Sequence, residues 1–193
     1  MRIVDLSRMI QGRIPTVPFL THPRASFTRV EAPAFVDRRG KTVDRLPVES
    51  FVKSAVLLDL SGRTVGEIDD EDLEGAEEAA GLSIREGEVV VLHTCWGENS
   101  MKRRRPFPGL SRNATDYLLF RRIAGVAADC PSIDEGEPMR SHRLLLRNGV
   151  IITEDLCNLS EVDQSRFRLL TLPLRAKAAV SPARALALLD SYW

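Results

Sequence analysis

Three stretches of the chain are apolar at nearly every position rather than at every second one, and this constrains the fold most. Ala55-Val56-Leu57-Leu58-Asp59-Leu60 is closed by Ser61-Gly62. Glu88-Val89-Val90-Val91-Leu92-His93-Thr94 follows the turn Arg85-Glu86-Gly87, and Val150-Ile151-Ile152-Thr153 follows Asn148-Gly149. A strand with one wet face alternates polar and apolar residues, whereas a continuously apolar strand has to be covered on both faces. These runs predict a central sheet with packing layers on either side. Shorter alternating runs at Ile3-Val4-Asp5-Leu6 and from Phe167 to Leu174, the latter closed by Pro173, add further strands.

Two segments predict helices. Asp70 to Ala80 is acidic and Ala-rich and ends at Gly81. Ser111 is an N-cap for a helix through Ile123, with Ala114, Tyr117, Leu118 and Ile123 along one side. Residues 181–189 fit either state: Ala and Leu suit a helix, but the run is short and broken by a proline. No repeat, low-complexity tract or linker divides the chain, and 193 residues is the size of one domain. The expected fold class is α/β: a single domain over residues 1–193 with a mostly β core and flanking helices.

Charge excludes some partners. Lys plus Arg and Asp plus Glu number 27 each, so no global field draws the chain to nucleic acid or an anionic membrane. The basic run Lys102-Arg103-Arg104-Arg105 has no interleaved aromatics and reads as a solvated loop. No apolar run approaches the roughly 20 residues that span a bilayer, and the N-terminal residues carry no signal-like core, so the expected compartment is the cytoplasm. Cys95, Cys130 and Cys157 are far apart and odd in number, which suits reduced thiols. No GxSxG elbow, no GxGxxG after a strand and no GK[ST] phosphate loop is present.

Candidate chemistry therefore rests on few residues. His22, in Thr21-His22-Pro23, reads as a turn residue, and His93 as a core or edge histidine within a strand. His142 precedes Glu154 by twelve residues. In a hairpin-like unit turning at Asn148-Gly149, the two would face one pocket. Cys95 or Cys130 could use His142 as a base, but inert buried thiols are the favoured reading.

Taken together, the chain resembles the cyclase family of metal-dependent hydrolases, which includes bacterial kynurenine formamidase and isatin hydrolase. The matching pieces run nearly end to end: Ile3-Val4-Asp5-Leu6-Ser7, Glu31-Ala32-Pro33-Ala34, Leu57-Leu58-Asp59-Leu60-Ser61, Thr94 with Trp96, Pro108-Gly109-Leu110-Ser111, Pro131-Ser132-Ile133-Asp134, His142-Arg143 and Glu154-Asp155-Leu156. The family signature is HxGTHxDxPxH. Its first His falls at Ala25, its Gly-Thr at Phe27-Thr28 and its second His at Arg29; its Asp falls at Glu31, its Pro at Pro33 and its last His at Phe35. In the family the first two His and the Asp bind metal, and the last His is an acid/base group beside it. The later His and Glu of that pocket correspond to His142 and Glu154.

The resemblance implies hydrolysis of an amide or lactone bond, with zinc or manganese as cofactor, in a homo-oligomer (dimer or tetramer) acting on a small molecule. It implies Glu31, His142 and Glu154 as catalytic or metal-holding groups, and Arg29, Thr28, Phe35 and Trp96 as residues lining the substrate. The departures pull the other way. A catalytic ion normally takes three protein ligands; Arg29 cannot ligate, and its charge repels a divalent cation. Three readings of the site stay open: a reduced metal site, a metal-free site in which Arg29 bridges Glu31 and Glu154, or an Arg29 pointing to solvent from an edge strand. Two functions stay open with them: a diverged hydrolase, or a non-catalytic member that uses Arg29 to hold an anionic small molecule or serves as a scaffold.

Overall fold

The apolar runs form the middle of a sheet that closes on itself. The computed structural model describes residues 1–9, 27–63, 65–96, 106–135 and 139–189; Ala25, His22 and the basic run at 102–105 lie outside them. In chain order the strands are β1 (Arg2–Asp5), β2 (Arg29–Glu31), β3 (Val52–Asp59), β4 (Glu67–Ile68), β5 (Val89–His93), β6 (Gly109–Leu110), β7 (Gly125–Ala128), β8 (Ile151–Glu154), β9 (Arg166–Pro173) and β10 (Val180–Leu189). The helices are α1 (Asp70–Ala80), α2 (Arg112–Phe120) and α3 (Arg140–Arg147).

Among the described residues, eight strands pair in the order β1-β10-β2-β8-β7-β5-β3-β9, and β9 pairs back onto β10. That last pairing turns the sheet into a barrel. Strands β3, β5, β7 and β8 are mutually parallel, and parallel neighbours need a crossover, which α1, α2 and α3 supply in turn. One edge of β10 holds β2 through residues 180–182 and β1 through residues 186–189, while its other edge holds β9. β4 and β6 form a separate two-stranded parallel ladder.

Burial on both faces follows from this arrangement. Val56, Leu58, Val90, Leu92, Val126 and Ile152 pack outward against Leu73 of α1, Leu118 of α2 and Leu145 and Leu146 of α3. Their neighbours Ala55, Val89, Val91 and Ala127 point into the barrel, where they meet Val4, Leu156, Phe167, Leu169, Ala185 and Ala187. Successive side chains thus serve two cores, which is why the strands read as unbroken apolar runs.

The helix ends obey local rules. Asp69 caps α1 in a reciprocal capping box with Asp72, and Gly81 ends it with φ 64°. The Ser111 hydroxyl accepts from the Ala114 N–H at 3.1 Å to start α2, as expected; this helix stops at Phe120, short of Ile123. Residues 181–189 are strand, because Ala185, Ala187 and Leu189 face the barrel core at a period of two. One expectation is overturned. His142 does not enter a hairpin but lies in the first turn of α3, whose buried face is Ser141, His142, Leu145 and Leu146. Among the described residues no helix is long and apolar enough to cross a membrane.

Candidate active site

Parallel strands bring their carboxyl ends to one end of the barrel, and the charged residues collect there. Glu154 is the last residue of β8, and the antiparallel register places Arg29 directly opposite it and Glu31 opposite Ile152. Directly opposed residues share a face, as do residues two apart on a strand, so Arg29, Glu31 and Glu154 project together. Their face is the one on which α3 packs, and His142 descends from that helix. The side chains of Arg29, Glu31, His142 and Glu154 are 3%, 1%, 0% and 0% exposed.

Within this buried group each carboxylate divides its oxygens. Arg29 Nε donates to Glu31 Oε1 at 3.1 Å, and Arg29 Nη2 donates to Glu154 Oε2 and, at 2.7 Å, to the Pro131 carbonyl. The other oxygens face the imidazole: His142 Nε2 lies 3.0 Å from Glu154 Oε1 and 3.3 Å from Glu31 Oε2. Glu154 Oε1 also accepts the Ile133 N–H at 2.7 Å. Of the readings for Arg29, the structure shows the guanidinium between the two carboxylates and not in solvent.

A fifth residue fixes the imidazole. Asp134 Oδ2 lies 2.7 Å from His142 Nδ1 and accepts the His142 backbone N–H at 3.0 Å, while Oδ1 accepts the Ser141 N–H at 3.0 Å. Asp134 thus caps α3, whose own N-cap residue, Met139, makes no side-chain cap. The same contact holds the Nδ1 proton toward Asp134 and turns Nε2 toward Glu31 and Glu154.

The electrostatics follow from these contacts. Burial opposes ionisation of Glu154, but the Arg29 and His142 charges outweigh it and keep its carboxyl below the usual range. For Glu31, burial and then the Glu154 charge win, and its carboxyl is pushed up. Burial disfavours a charged His142, yet Glu154 and Asp134 raise it well above an ordinary histidine. Glu31 is therefore the carboxylate on which a proton rests most easily, beside a cationic ring.

Among the described residues, Glu31, His142 and Glu154 are the one group whose donor atoms converge as metal ligands would, all within 4.8 Å of one another. Glu31 Oε2 and His142 Nε2 have no aligned hydrogen-bond partner there. The two spacings from His142 Nε2, 3.0 and 3.3 Å, are close to the roughly 3.3 Å edge of a tetrahedral shell of about 2.0 Å radius. The Asp134 contact also matches the way a metal-bound imidazole gives its second N–H to a carboxylate. The residues fit one small divalent ion. Arg29 leaves the three donor atoms uncovered but opposes the ion by its charge.

The remaining candidates are placed as follows. Phe35 lies tilted by 51° to the imidazole with ring centroids 5.6 Å apart, so an apolar ring borders the site at the position where the family signature has its last His. Thr28 is not turned to a ligand: its hydroxyl donates to the Asp155 carbonyl and accepts the Arg8 N–H, both at 2.7 Å. Trp96 belongs to the outer core, edge-on to Phe107 at 6.0 Å. Neither cysteine meets His142. Cys130 is buried beside Thr94 at 3.2 Å, with burial raising its thiol, and Cys95 lies 3.3 Å from His93. Asp134 stands in a matching piece of the sequence but is not legible there as a site residue, because its eight-residue spacing from His142 has meaning only once α3 is known.

Comparison with known proteins identifies the family and the fold. The Cyclase family model matches residues 4–135, which include Arg29, Glu31 and Asp134; His142 and Glu154 lie beyond the match. Kynurenine formamidase of Bacillus cytotoxicus is 27% identical over 162 residues, 82% of this chain and 73% of that protein. Isatin hydrolase of Roseibium aggregatum is 29% identical over 164 residues; the match spans 75% of this chain but 62% of that relative's length. Among solved structures, isatin hydrolase A from Labrenzia aggregata bound to benzyl benzoate superposes with a TM-score of 0.79 at 24% identity, covering 96% of this chain and 93% of that one. At that identity the likeness speaks for the fold.

Proposed function

The chain belongs to the Cyclase family, and from that premise we propose that it is a hydrolase acting on an amide or lactone carbonyl, with Glu31, His142 and Glu154 as its working groups. The reading rests on one observation, the division of the carboxylate oxygens between Arg29 and His142. Arg29 holds both carboxylates in place and offsets their mutual repulsion without covering the atoms that face the imidazole. Glu31, with its carboxyl pushed up by burial and the neighbouring Glu154 charge, is the carboxylate placed to take and return a proton at Oε2. His142, held by Asp134, presents Nε2 to a leaving nitrogen or oxygen. A divalent ion bound by Glu31, His142 and Glu154 would take up Nε2 and the facing carboxylate oxygens and, in place of their proton transfers, would supply Lewis-acid polarisation of the carbonyl.

The test is a panel of N-formylkynurenine, isatin and simple aryl formamides and lactones, incubated with wild-type protein and with Glu154→Gln. Turnover by the wild type that the variant loses supports the proposal. No turnover of any of them, with or without added zinc or manganese, turns the reading to a non-catalytic family member. Phe35 favours that second reading, since it cannot relay a proton beside His142. In such a protein Arg29, which contacts both Glu31 and Glu154, would hold an anionic small molecule only in competition with those carboxylates.

A further inference from the structure

Cys95 stands just beyond the carboxyl end of β5, one residue after Thr94, which is anchored by Asp129 through its N–H at 3.1 Å and its hydroxyl at 2.6 Å. Cys95 has φ 60°, a left-handed conformation that a side chain makes unfavourable and that non-glycine residues adopt mainly where the surroundings impose it. The turn so formed carries the half-buried Cys95 back over the strand end, where its Sγ lies 3.3 Å from His93 Nε2. His93 is itself buried and in register with Asp59 of the parallel neighbour β3, so the two share a face. Asp59 is held below the usual carboxylate range, by the Ser61 N–H first and with His93 contributing. A thiol, an imidazole within hydrogen-bond reach and a carboxylate on the next strand are the parts of an activated nucleophile. Next in the chain, the buried Trp96 carries an indole N–H with no partner among the described residues.

We propose that Cys95 and His93 form a reactive thiol–imidazole pair, a second nucleophilic site that takes soft electrophiles such as α,β-unsaturated carbonyl compounds. His93 Nε2 accepts the thiol proton and the sulfur attacks the β-carbon. The S–C bond forms as the C=C π pair moves to the α-carbon, which then receives the proton held by His93. No group leaves and nothing is oxidised or reduced. The other thiols are internal controls: Cys130 is 1% exposed, and Cys157 is half-buried like Cys95.

The experiment is labelling of native protein with substoichiometric N-ethylmaleimide at neutral pH, with adducts located by peptide mass spectrometry. Cys95 should label about tenfold faster than Cys157, and His93→Gln should remove most of that advantage while leaving the Cys157 rate unchanged. Cys95 labelling no faster than Cys157 in the wild type overturns the proposal without any variant. A fast Cys95 that His93→Gln does not slow overturns the pairing. Should Cys130 label in His93→Gln, the variant has opened, and the wild-type comparison decides.

Discussion

Arg29 and Glu154 face each other across the β2–β8 pair, and the guanidinium that joins them also reaches Glu31, two residues along its own strand. One cation therefore ties two strands of the barrel together through two carboxylates that are 1% and 0% exposed. A buried pair of this kind adds little over an apolar replacement, but breaking it from one side strands a charge in a place water does not reach.

Arg29→Ala should therefore cost about 3–5 kcal/mol at neutral pH, far above the change at an exposed ion pair. The sign with pH follows from Glu154, whose folded value is depressed. Its contribution is present above the ordinary carboxylate range and is lost as pH falls through the folded value, so the gap between variant and parent should narrow on acidification. Denaturant melts of both proteins across that range check this. A variant melting like its parent throughout would show that Arg29 carries no structural charge.

Asp134→Asn should act on two things at once. It leaves one acceptor oxygen where the carboxylate offers two to the N–H groups at the start of α3, a loss smaller than that of about 0.5–2 kcal/mol for a change to Ala, and it removes the negative charge beside the Nδ1 proton of His142. The His142 ring, raised in the parent, should titrate closer to an ordinary histidine in the variant. NMR titration of the imidazole resonances reads this directly. An unmoved titration would make Asp134 a helix cap and nothing more.

Added zinc or manganese should raise the melting temperature of the parent and leave that of Glu154→Gln unchanged. Purified protein should nonetheless hold well under one equivalent after dialysis, because Arg29 opposes the ion from the far side of both carboxylates. The stabilisation should weaken as pH falls, since Glu31 and His142, both raised, must release protons to serve as ligands. Stoichiometric metal that survives dialysis would show that Arg29 exerts no such opposition.

How much of this was legible in the sequence depended on what each residue packs against. Strands β3, β5 and β8 could be read because each is buried on both faces by apolar side chains. β2 could not: Arg-Val-Glu has neither length nor apolar pattern, and its strand character comes from β8 and β10 on either side. Helix α3 was hidden because half of its buried face is Ser141 and His142, whose burial is compensated by hydrogen bonds that only the tertiary structure supplies. The grouping of Glu31, His142 and Glu154 followed from the family motif. The position of Arg29 required the β2–β8 register, which no local pattern specifies.

The most direct test of the account is the rate of amide or lactone hydrolysis by the wild type set beside Glu31→Gln. The substitution keeps the shape of the side chain and removes the one carboxyl that the proposed reaction uses to take and return a proton. Turnover by the parent, falling by about 10²–10⁴-fold in kcat in the variant with a smaller change in KM, is the predicted result. A folded Glu31→Gln protein that hydrolyses the same substrate at the parent's rate would contradict it.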